Sequence, residues 1–239
     1  MTPASAELKR HDPSDIRIHW FNAACWLVLL VTGLGLIKNE KLSPLGAWLP
    51  DALRALFGGG SAGGAVLLLL HEAVGLAWLA GLLWYALANG RGAAFFLREV
   101  FSVRPGDLRW MLRKMGRMTL GVGGELPPQG YYNMGQKAFA QVSVLGGILI
   151  GLSGMVLLPA DKLLPASATL LVGWAVTLHS LAVGLVFAGL LVHIYMAAIS
   201  PEERPGFRSM FTGTVPEDYA RHHHGLWVEA LDKGETGGK

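Results

Sequence analysis

Four of the eight histidines in this 239-residue chain lie within long apolar segments. An ionisable side chain inside a membrane-spanning segment is energetically costly, so each of these four indicates a functional site. The segment 177–197, with the sequence TLHSLAVGLVFAGLLVHIYMA, carries two of them, His179 and His193. Because imidazole is both a metal ligand and a proton carrier, two of them in one span favour a chemical role over packing alone.

The apolar segments that carry these histidines are long enough to cross a membrane. A helical span of the hydrocarbon core needs roughly 20 apolar residues, and four segments reach that length, at 18–37, 65–88, 138–159 and 168–198. The chain is 52% hydrophobic and only 15% charged, with a mean hydropathy of +0.41. This composition is typical of a membrane protein. We therefore predict an all-α membrane protein whose four-transmembrane-helix bundle spans 16–198, between polar tails at 1–15 and 199–239.

Lysine and arginine are distributed unequally between the two sides of this topology. Sixteen lie in the two tails and in the connection between spans two and three, and four lie on the other side. The positive-inside rule then places both termini in the cytoplasm. The first span exceeds the apolar core of a signal peptide, so we interpret it as a retained helix. No basic patch with interleaved aromatic residues indicates binding of nucleic acid.

Two of the connections have distinctive compositions. The cytoplasmic segment 91–130 mixes apolar and basic residues at helical spacing and predicts one or two interfacial helices, broken at Pro105 and Gly106. The outer loop at about 38–64 contains FGGGSAGGA, which lacks the ending of a phosphate-binding loop and is interpreted as a flexible linker.

The topology assigns a depth to each intramembrane histidine. His19 and His193 lie toward the cytoplasm and form the inner pair; His71 and His179 lie toward the outside and form the outer pair. Fourteen helical residues separate the two levels by about 21 Å and return to nearly the same face. Two imidazoles at each of two depths are typical of two b-type haems with bis-histidine ligation.

Cysteine and glycine usage is compatible with such haems. Cys25 is the only cysteine, so covalent haem attachment through C-x-x-C-H is excluded, and any Fe–S cluster belongs to another chain. Small residues near the ligands would let a macrocycle approach the backbone, although small residues also serve ordinary helix packing. These residues are Gly33, Gly35, Gly75, Ala182 and Gly184.

Other interpretations of the histidines stay open. Single histidines can hydrogen-bond between helices or lie at the membrane interface. A proton or metal-ion pathway is a further alternative, although transport usually needs more intramembrane carboxylates than Glu72 beside His71. The run His222–His224 is interpreted as part of a solvated, interaction-forming tail, and His11 as a surface residue.

A second group of polar residues, GYYNMGQKAF at 130–139, lies where the cytoplasmic segment enters span three. Asn133 and Gln136 supply amide groups, Gly135 permits close approach to the backbone, and Lys137 adds a charge. These groups could bind a quinone carbonyl close to the inner pair. The alternative is that Asn133 only caps the third helix.

These elements together resemble the gamma, or cytochrome b, subunits of membrane-bound formate dehydrogenases. The resemblance is carried by IRIHW (16–20), LLLHEAVG (68–75), YYNMGQK (131–137), LHSLAVGLVFAGLLVHIYMA (178–197) and GTVPEDYARHHHGLW (213–227). The four-span dihaem cytochromes of nickel–iron hydrogenases share the histidine pattern but not the YNxGQK stretch.

The resemblance implies specific ligands and partners. His71 and His179 would ligate the outer haem iron, and His19 and His193 the inner haem iron. The menaquinone or ubiquinone pocket would include Asn133, Gly135, Gln136 and the vicinity of His193. A molybdenum- or tungsten-containing catalytic subunit would oxidise formate, and an Fe–S subunit would pass electrons to the outer haem.

We therefore predict the membrane-anchoring dihaem cytochrome b subunit of a respiratory formate dehydrogenase in the bacterial inner membrane. It would transfer electrons to quinone, while formate oxidation would occur on a partner subunit. A cytochrome b subunit of a nickel–iron hydrogenase or a related oxidoreductase is the alternative of the same class. A haem-free membrane anchor or transporter is the alternative of a different class.

Overall fold

The computed structural model of the protein describes residues 6–39, 43, 45–122 and 124–234. The ends of both predicted tails, 1–5 and 235–239, lie outside the described residues, as do 40–42 and 44 of the predicted outer loop and Gly123 of the segment 91–130. In chain order the elements are β1 (Glu7–Lys9), α1 (Pro13–Leu36), α2 (Trp48–Ala55), α3 (Gly60–Ala88), α4 (Gly90–Phe101), α5 (Pro105–Leu120), α6 (Met134–Leu157), α7 (Ala160–Leu163), α8 (Thr169–Ile194), α9 (Arg204–Thr212), β2 (Thr214–Pro216), α10 (Glu217–His223) and α11 (Gly225–Asp232). A π-helical turn, Tyr195–Ile199, extends α8.

Four helices, α1, α3, α6 and α8, are long and apolar enough to cross a membrane, which confirms the four predicted spans. Three of them begin about four to five residues before the predicted apolar segment, because polar and small residues form their first turns. In α1, Pro13 occupies the first helical position, and Asp15 closes a capping box with Asp12.

The prediction that FGGGSAGGA is a flexible linker is wrong for the second half of this stretch, because α3 begins at Gly60 and continues through Gly63. A side chain at Gly63 would collide with the backbone of Arg54 in α2, so the glycine permits close helix packing. The Arg54 guanidinium in turn donates to the carbonyls of Gly35 and Ile37 at the end of α1. The glycine-rich stretch is thus a packing surface that closes one end of the bundle.

The bundle is built from two helix pairs, because α1 packs mainly on α3 and α6 packs mainly on α8. The pairs meet where Trp78 of α3 lies against Gly147 of α6. Ile150, Ala182 and Val186 form a buried apolar cluster between α6 and α8, with Trp26 of α1 packed against it. The outward faces of the spans carry large exposed apolar side chains, as lipid-facing helices do.

The opposite end of the bundle carries a folded cap, which we define as β1, α4, α5 and the elements α9 to α11 with β2. The strands β1 and β2 pair antiparallel, with Leu8 opposite Val215. Val215 is buried with Tyr219, Ala220 and Val228, against which Leu8 also packs. The N-terminal and C-terminal segments therefore meet at the same end of the bundle.

The connection between α3 and α6 also belongs to this cap. It contains the helices α4 and α5, and the break falls at 102–104, just before Pro105. Pro105 begins α5, because a proline at the first helical position has no N–H group to leave unpaired. Asp107 in the first turn accepts a hydrogen bond from the Arg104 backbone and stabilises this start.

Candidate functional site

The outer pair joins helices from the two halves of the bundle. His71 of α3 and His179 of α8 lie with their ring centroids 6.2 Å apart and their planes at 62°. Nδ1 of His71 is 2.9 Å from Oγ1 of Thr32 in α1, and Nδ1 of His179 is 3.0 Å from Oγ of Ser153 in α6. Each ring is therefore held at Nδ1 by a hydroxyl group of its neighbouring helix.

The inner pair lies at the end of the bundle that carries the cap. The ring centroids of His19 and His193 are 6.4 Å apart, with the planes at 64°. Phe139 of α6 stacks on His193 at 4.4 Å and 12°. Trp20 contacts His19 edge-on at 5.2 Å, and its indole N–H donates to the carbonyl of Met210 in α9 at 2.8 Å. Aromatic rings and the cap therefore surround this pair.

Both pairs have the spacing of imidazoles that share one metal ion. A metal about 2 Å from one nitrogen of each ring separates the two ring centroids by roughly 6 Å. The observed separations of 6.2 and 6.4 Å match this value. In the outer pair the Nδ1 atoms are occupied by the hydroxyls, so Nε2 is the atom left for a metal. The residues present thus fit a haem iron at each pair.

The small residues expected near the ligands have different surroundings. Gly33 lies beside the His71 ring, and a Cβ atom added there would be 3.3 Å from Cε1. Gly35 packs against Leu67 of α3. Ala182 is buried in the cluster between α6 and α8. A Cβ atom on Gly75 would meet only Leu29, at 3.8 Å, and one on Gly184 would have open space.

The four histidines are therefore brought together in the two predicted combinations, while their ligation of haem stays a prediction. His179 and His193 belong to one uninterrupted helix, α8. The helical rise then separates the two levels by about 21 Å.

Asn133 and Gln136 form the capping box of α6. The Asn133 side chain accepts a hydrogen bond from the Gln136 backbone at 2.9 Å, and the Gln136 side chain accepts one from the Asn133 backbone at 3.1 Å. A Cβ atom at Gly135 would be 3.6 Å from the Trp110 ring. The capping role is thus seen directly, whereas quinone binding by Asn133, Gly135 and Gln136 stays a prediction. Among the described residues, neither side-chain NH₂ group has a hydrogen-bond partner, so both remain able to donate.

Lys137 is engaged in a buried ion pair. Its ammonium group donates to Asp107 of α5 at 2.8 Å and to the Ser102 carbonyl at 2.7 Å. The side chains of Lys137 and Asp107 are only 3% and 4% exposed. The pair fixes α5 and the end of α4 to the first turn of α6, next to the inner pair.

The cap histidines depart from the prediction of a solvated tail. His222 is exposed, but His224 is fully buried and donates through Nδ1 to the Gly130 carbonyl at 2.9 Å. Burial, together with the Arg10 guanidinium, holds the pKa of His224 well below its usual range, so the ring is neutral. His11, expected at the surface, is half-buried against Tyr131. The contacts of His224 with Gly130 and of His11 with Tyr131 join segments that are far apart in sequence, and they stabilise the cap.

Sequence reasoning missed four residues that contact the histidines. They are Thr32, Gly154, Ser153 and Phe139. One signal was present, since a hydroxyl residue followed by glycine occurs in both span one and span three, at Thr32–Gly33 and Ser153–Gly154. That pattern indicates a contact with a histidine only once the positions of His71 and His179 on the neighbouring helices are known.

Comparisons with known proteins agree with this architecture. A family model described as prokaryotic cytochrome b561 matches residues 10–213, which include all four intramembrane histidines. Among similar curated proteins are the formate dehydrogenase cytochrome b556(fdo) subunits of Escherichia coli strains K12, O6:H1 and O157:H7. Each is 24% identical over 221 residues, covering 90% of this chain and 89% of the relative.

Proposed function

The chain belongs to the prokaryotic cytochrome b561 family, and from this we propose that it is the membrane-anchoring cytochrome b subunit of a respiratory formate dehydrogenase. The similarity to the b556(fdo) subunits extends over nearly the whole of both chains, which supports this member of the family. The protein is then a multi-pass protein of the bacterial inner membrane, where its four apolar helices form the bundle. Its role is electron transfer within an oxidoreductase complex.

One observation carries this proposal, namely the two histidine pairs with metal-compatible spacing. We propose that His71 and His179 ligate one haem b, and that His19 and His193 ligate a second. Haem iron, when bound, cycles between the ferric and ferrous states and so passes single electrons. The chain supplies neutral imidazoles as ligands, and all four are half-buried between the helices.

The direction of electron transfer follows from the proposed orientation. The cap contains both terminal segments, and its helices and strands carry ten of the twenty lysine and arginine residues, which supports its placement in the cytoplasm. A molybdenum- or tungsten-containing subunit would oxidise formate, and an Fe–S subunit would deliver electrons to the outer pair. The electrons then cross the roughly 21 Å of α8 between the two levels and arrive at the inner pair.

We place the quinone substrate, menaquinone or ubiquinone, at the start of α6 beside the inner pair. Gln136 precedes Phe139 by three residues, about one helical turn of α6, and Phe139 stacks on His193. Asn133 and Gln136 each retain an NH₂ group that can donate to a quinone carbonyl. Quinone reduction consumes protons, which cytoplasmic water would supply at this end. Electron flow toward the cytoplasm with proton uptake there charges the membrane without a proton channel through the chain.

An absorption spectrum of the purified chain tests the proposal most directly. Reduced b-type haem bands at two haems per chain are expected, and a fully folded protein without haem would favour the anchor or transporter instead. Mass spectrometry of the gently solubilised complex then tests the partners. Copurification of Fe–S and molybdenum or tungsten subunits is expected. The same family covers cytochromes b of nickel–iron hydrogenases, so a hydrogenase in their place would select that alternative.

A further inference from the structure

Both histidines of the outer pair face the same two-residue element on a neighbouring helix. His71 faces Thr32 and Gly33 of α1, and His179 faces Ser153 and Gly154 of α6. In each case the hydroxyl oxygen is about 3 Å from Nδ1, at 2.9 Å for Thr32 and 3.0 Å for Ser153. Two separate helix pairs thus present one arrangement to the two rings.

The helix backbone decides the direction of both hydrogen bonds. The Thr32 hydroxyl lies 2.8 Å from the Val28 carbonyl, and the Ser153 hydroxyl lies 2.6 Å from the Leu149 carbonyl. A hydroxyl has one proton, and a carbonyl can only accept it. Each hydroxyl therefore donates to its own helix and accepts at the histidine, so Nδ1 carries the ring proton. The lone pair of each neutral ring is then on Nε2.

The glycines permit this approach. A Cβ atom added to Gly33 would be 3.3 Å from Cε1 of His71, and one added to Gly154 would be 3.7 Å from Cε1 of His179. Each ring thus lies over a position with no side chain, within reach of the hydroxyl one residue earlier. Thr32 and Ser153 are themselves buried, 3% and 7% exposed, so water does not compete for these bonds.

We propose that Thr32 and Ser153 are positioning residues that set the tautomer, the orientation and the donor strength of the two outer haem ligands. This inference rests on the proposed haem-binding function. A histidine that donates its second N–H becomes a more basic ligand. A more basic ligand stabilises ferric iron, so the two hydroxyls lower the reduction potential of the outer haem.

The inner pair has a different arrangement. Within the described ranges, neither His19 nor His193 has a hydroxyl or carbonyl partner for its ring, and aromatic contacts surround the pair instead. The two hydroxyls therefore lower the reduction potential of the outer haem relative to that of the inner haem. A lower potential at the outer haem favours electron flow from the outer to the inner pair, which is the direction proposed above.

The test uses the complete complex with Thr32→Val, Ser153→Ala and both together. Thr32→Val keeps the shape of the side chain but removes its hydroxyl, whereas Thr32→Ser keeps the hydroxyl and removes the methyl group. Thr177→Val is the matched control, because Thr177 also donates to its own helix, at Gly173, but is exposed, and among the described residues its hydroxyl has no hydrogen bond to a histidine. The readouts are haem content, a redox titration that resolves the two haems, and the electron paramagnetic resonance signal of each ferric haem.

We expect the double variant to retain two haems and to shift the outer haem to higher potential, with the inner haem unchanged. The reduced-to-oxidised ratio of the outer haem at fixed potential should rise roughly tenfold, equal to about 59 mV for a one-electron couple. Thr32→Ser and Thr177→Val should match the wild type. Loss of the outer haem in Thr32→Val with retention in Thr32→Ser also supports the inference.

Two results overturn it. An unchanged outer potential in the double variant with both haems bound would remove the role of the hydroxyls. Loss of the outer haem in Thr32→Ser as well as Thr32→Val would mean that the site needs the threonine methyl for packing, not the hydroxyl. A wild-type protein without haem is a separate outcome that contradicts the proposed function itself.

Discussion

The two histidine pairs are similar in geometry but are supported by different parts of the molecule. Their ring centroids differ in separation by only 0.2 Å, at 6.2 and 6.4 Å. The outer pair is held by two hydroxyls within the spans, whereas the inner pair is held by aromatic rings and by contacts to the cap. The bundle alone can therefore orient the outer pair, but the inner pair depends on segments outside the bundle.

This difference matches the different tasks proposed for the two sites. The outer site would only receive and pass electrons, so fixed ligands between helices would be sufficient. The inner site would also exchange electrons with a diffusible quinone, and its surroundings include polar groups at the start of α6. Trp20 connects this site to the cap through the Met210 carbonyl, so changes in the cap should affect the inner site first.

The largest expected effect comes from removing a ligand. His71→Ala should abolish the outer haem and retain the inner one, because His179 would be the only imidazole of the outer pair left to hold it. His193→Ala should abolish the inner haem and leave the outer haem reducible by the donor. Either change should stop quinone reduction. Haem content and redox titration of each variant measure the effects.

Loss of the same haem in His71→Ala and His193→Ala would contradict the assignment of these histidines to two separate sites. His222→Ala is a suitable control, because His222 is exposed in the cap and lies in neither pair. It should retain both haems and full quinone turnover.

The next effect concerns quinone, and it separates capping from quinone binding. Asn133→Asp and Gln136→Glu keep the acceptor oxygens of the capping box but replace each NH₂ donor with oxygen. The acidic side chains are also favourable at a helix N-terminus, so α6 should stay folded. We expect both haems to remain reducible by the donor while quinone reduction is lost.

Alanine variants at the two positions complete this test. Asn133→Ala and Gln136→Ala should also abolish quinone reduction with both haems bound, and Asn133→Ala should destabilise the helix start by about 1 kcal/mol. If quinone turnover were normal in the acidic variants, the motif would serve only as a helix cap.

How far the sequence predicts this molecule depends on the range of the interactions involved. The four spans are predictable because apolar length alone decides whether a helix crosses a membrane. The capping role of Asn133 is also predictable from the sequence, since a capping box is local in sequence. In contrast, β1 pairs with a strand about 200 residues later, and no local pattern indicates that the C-terminal segment folds into a cap.

The candidate site shows the same limit. The histidine pairs followed from depth, because a helix converts residue number into distance along the membrane normal. Thr32 and Ser153 could not be selected in this way, because hydroxyl residues in spans often bond only to their own helix. Thr177 does so. The glycine that follows Thr32 distinguishes the two threonines in sequence, but a threonine–glycine pair by itself does not indicate a contact with a histidine. Only the position of His71 on a neighbouring helix makes that distinction.

A smaller effect is expected from the ion pair that fixes α5 to α6. Lys137→Met should leave the Asp107 carboxylate buried without its opposite charge, with only the Arg104 backbone N–H still donating to it, and breaking a buried pair typically costs about 3–5 kcal/mol. The loss should appear as earlier thermal release of the inner haem, because Lys137 is in the first turn of α6. The outer haem should be released at the wild-type temperature, as judged by absorbance during heating.

Lys114→Met provides the matched control. Lys114 pairs with Glu202 at 3.0 Å, but the carboxylate is 68% exposed, and exposed pairs contribute about 1 kcal/mol or less. Equal losses for the two lysines, or equal effects on both haems, would contradict the dependence of the inner pair on the cap.

The smallest effect distinguishes the two halves of the outer pair. Gly33→Ala places a methyl group 3.3 Å from Cε1 of His71, whereas Gly154→Ala places one at 3.7 Å from Cε1 of His179. The second distance is an ordinary van der Waals contact, but the first requires the His71 ring to move by a few tenths of an ångström. That movement lengthens the 2.9 Å contact between His71 and Thr32 and weakens the hydrogen bond.

Both substitutions replace glycine with alanine within a helix, so both should gain a similar helix propensity of up to about 1 kcal/mol. The difference between them therefore isolates the contact with the ring. We expect Gly33→Ala to raise the potential of the outer haem in the same direction as Thr32→Val but by less, and Gly154→Ala to leave it unchanged. Redox titration of the two variants beside Gly184→Ala, where the added methyl group meets open space, measures this difference. A shift of equal size in Gly33→Ala and Gly184→Ala would show that the potential responds to helix stiffness, and not to the hydrogen bond from His71 to Thr32.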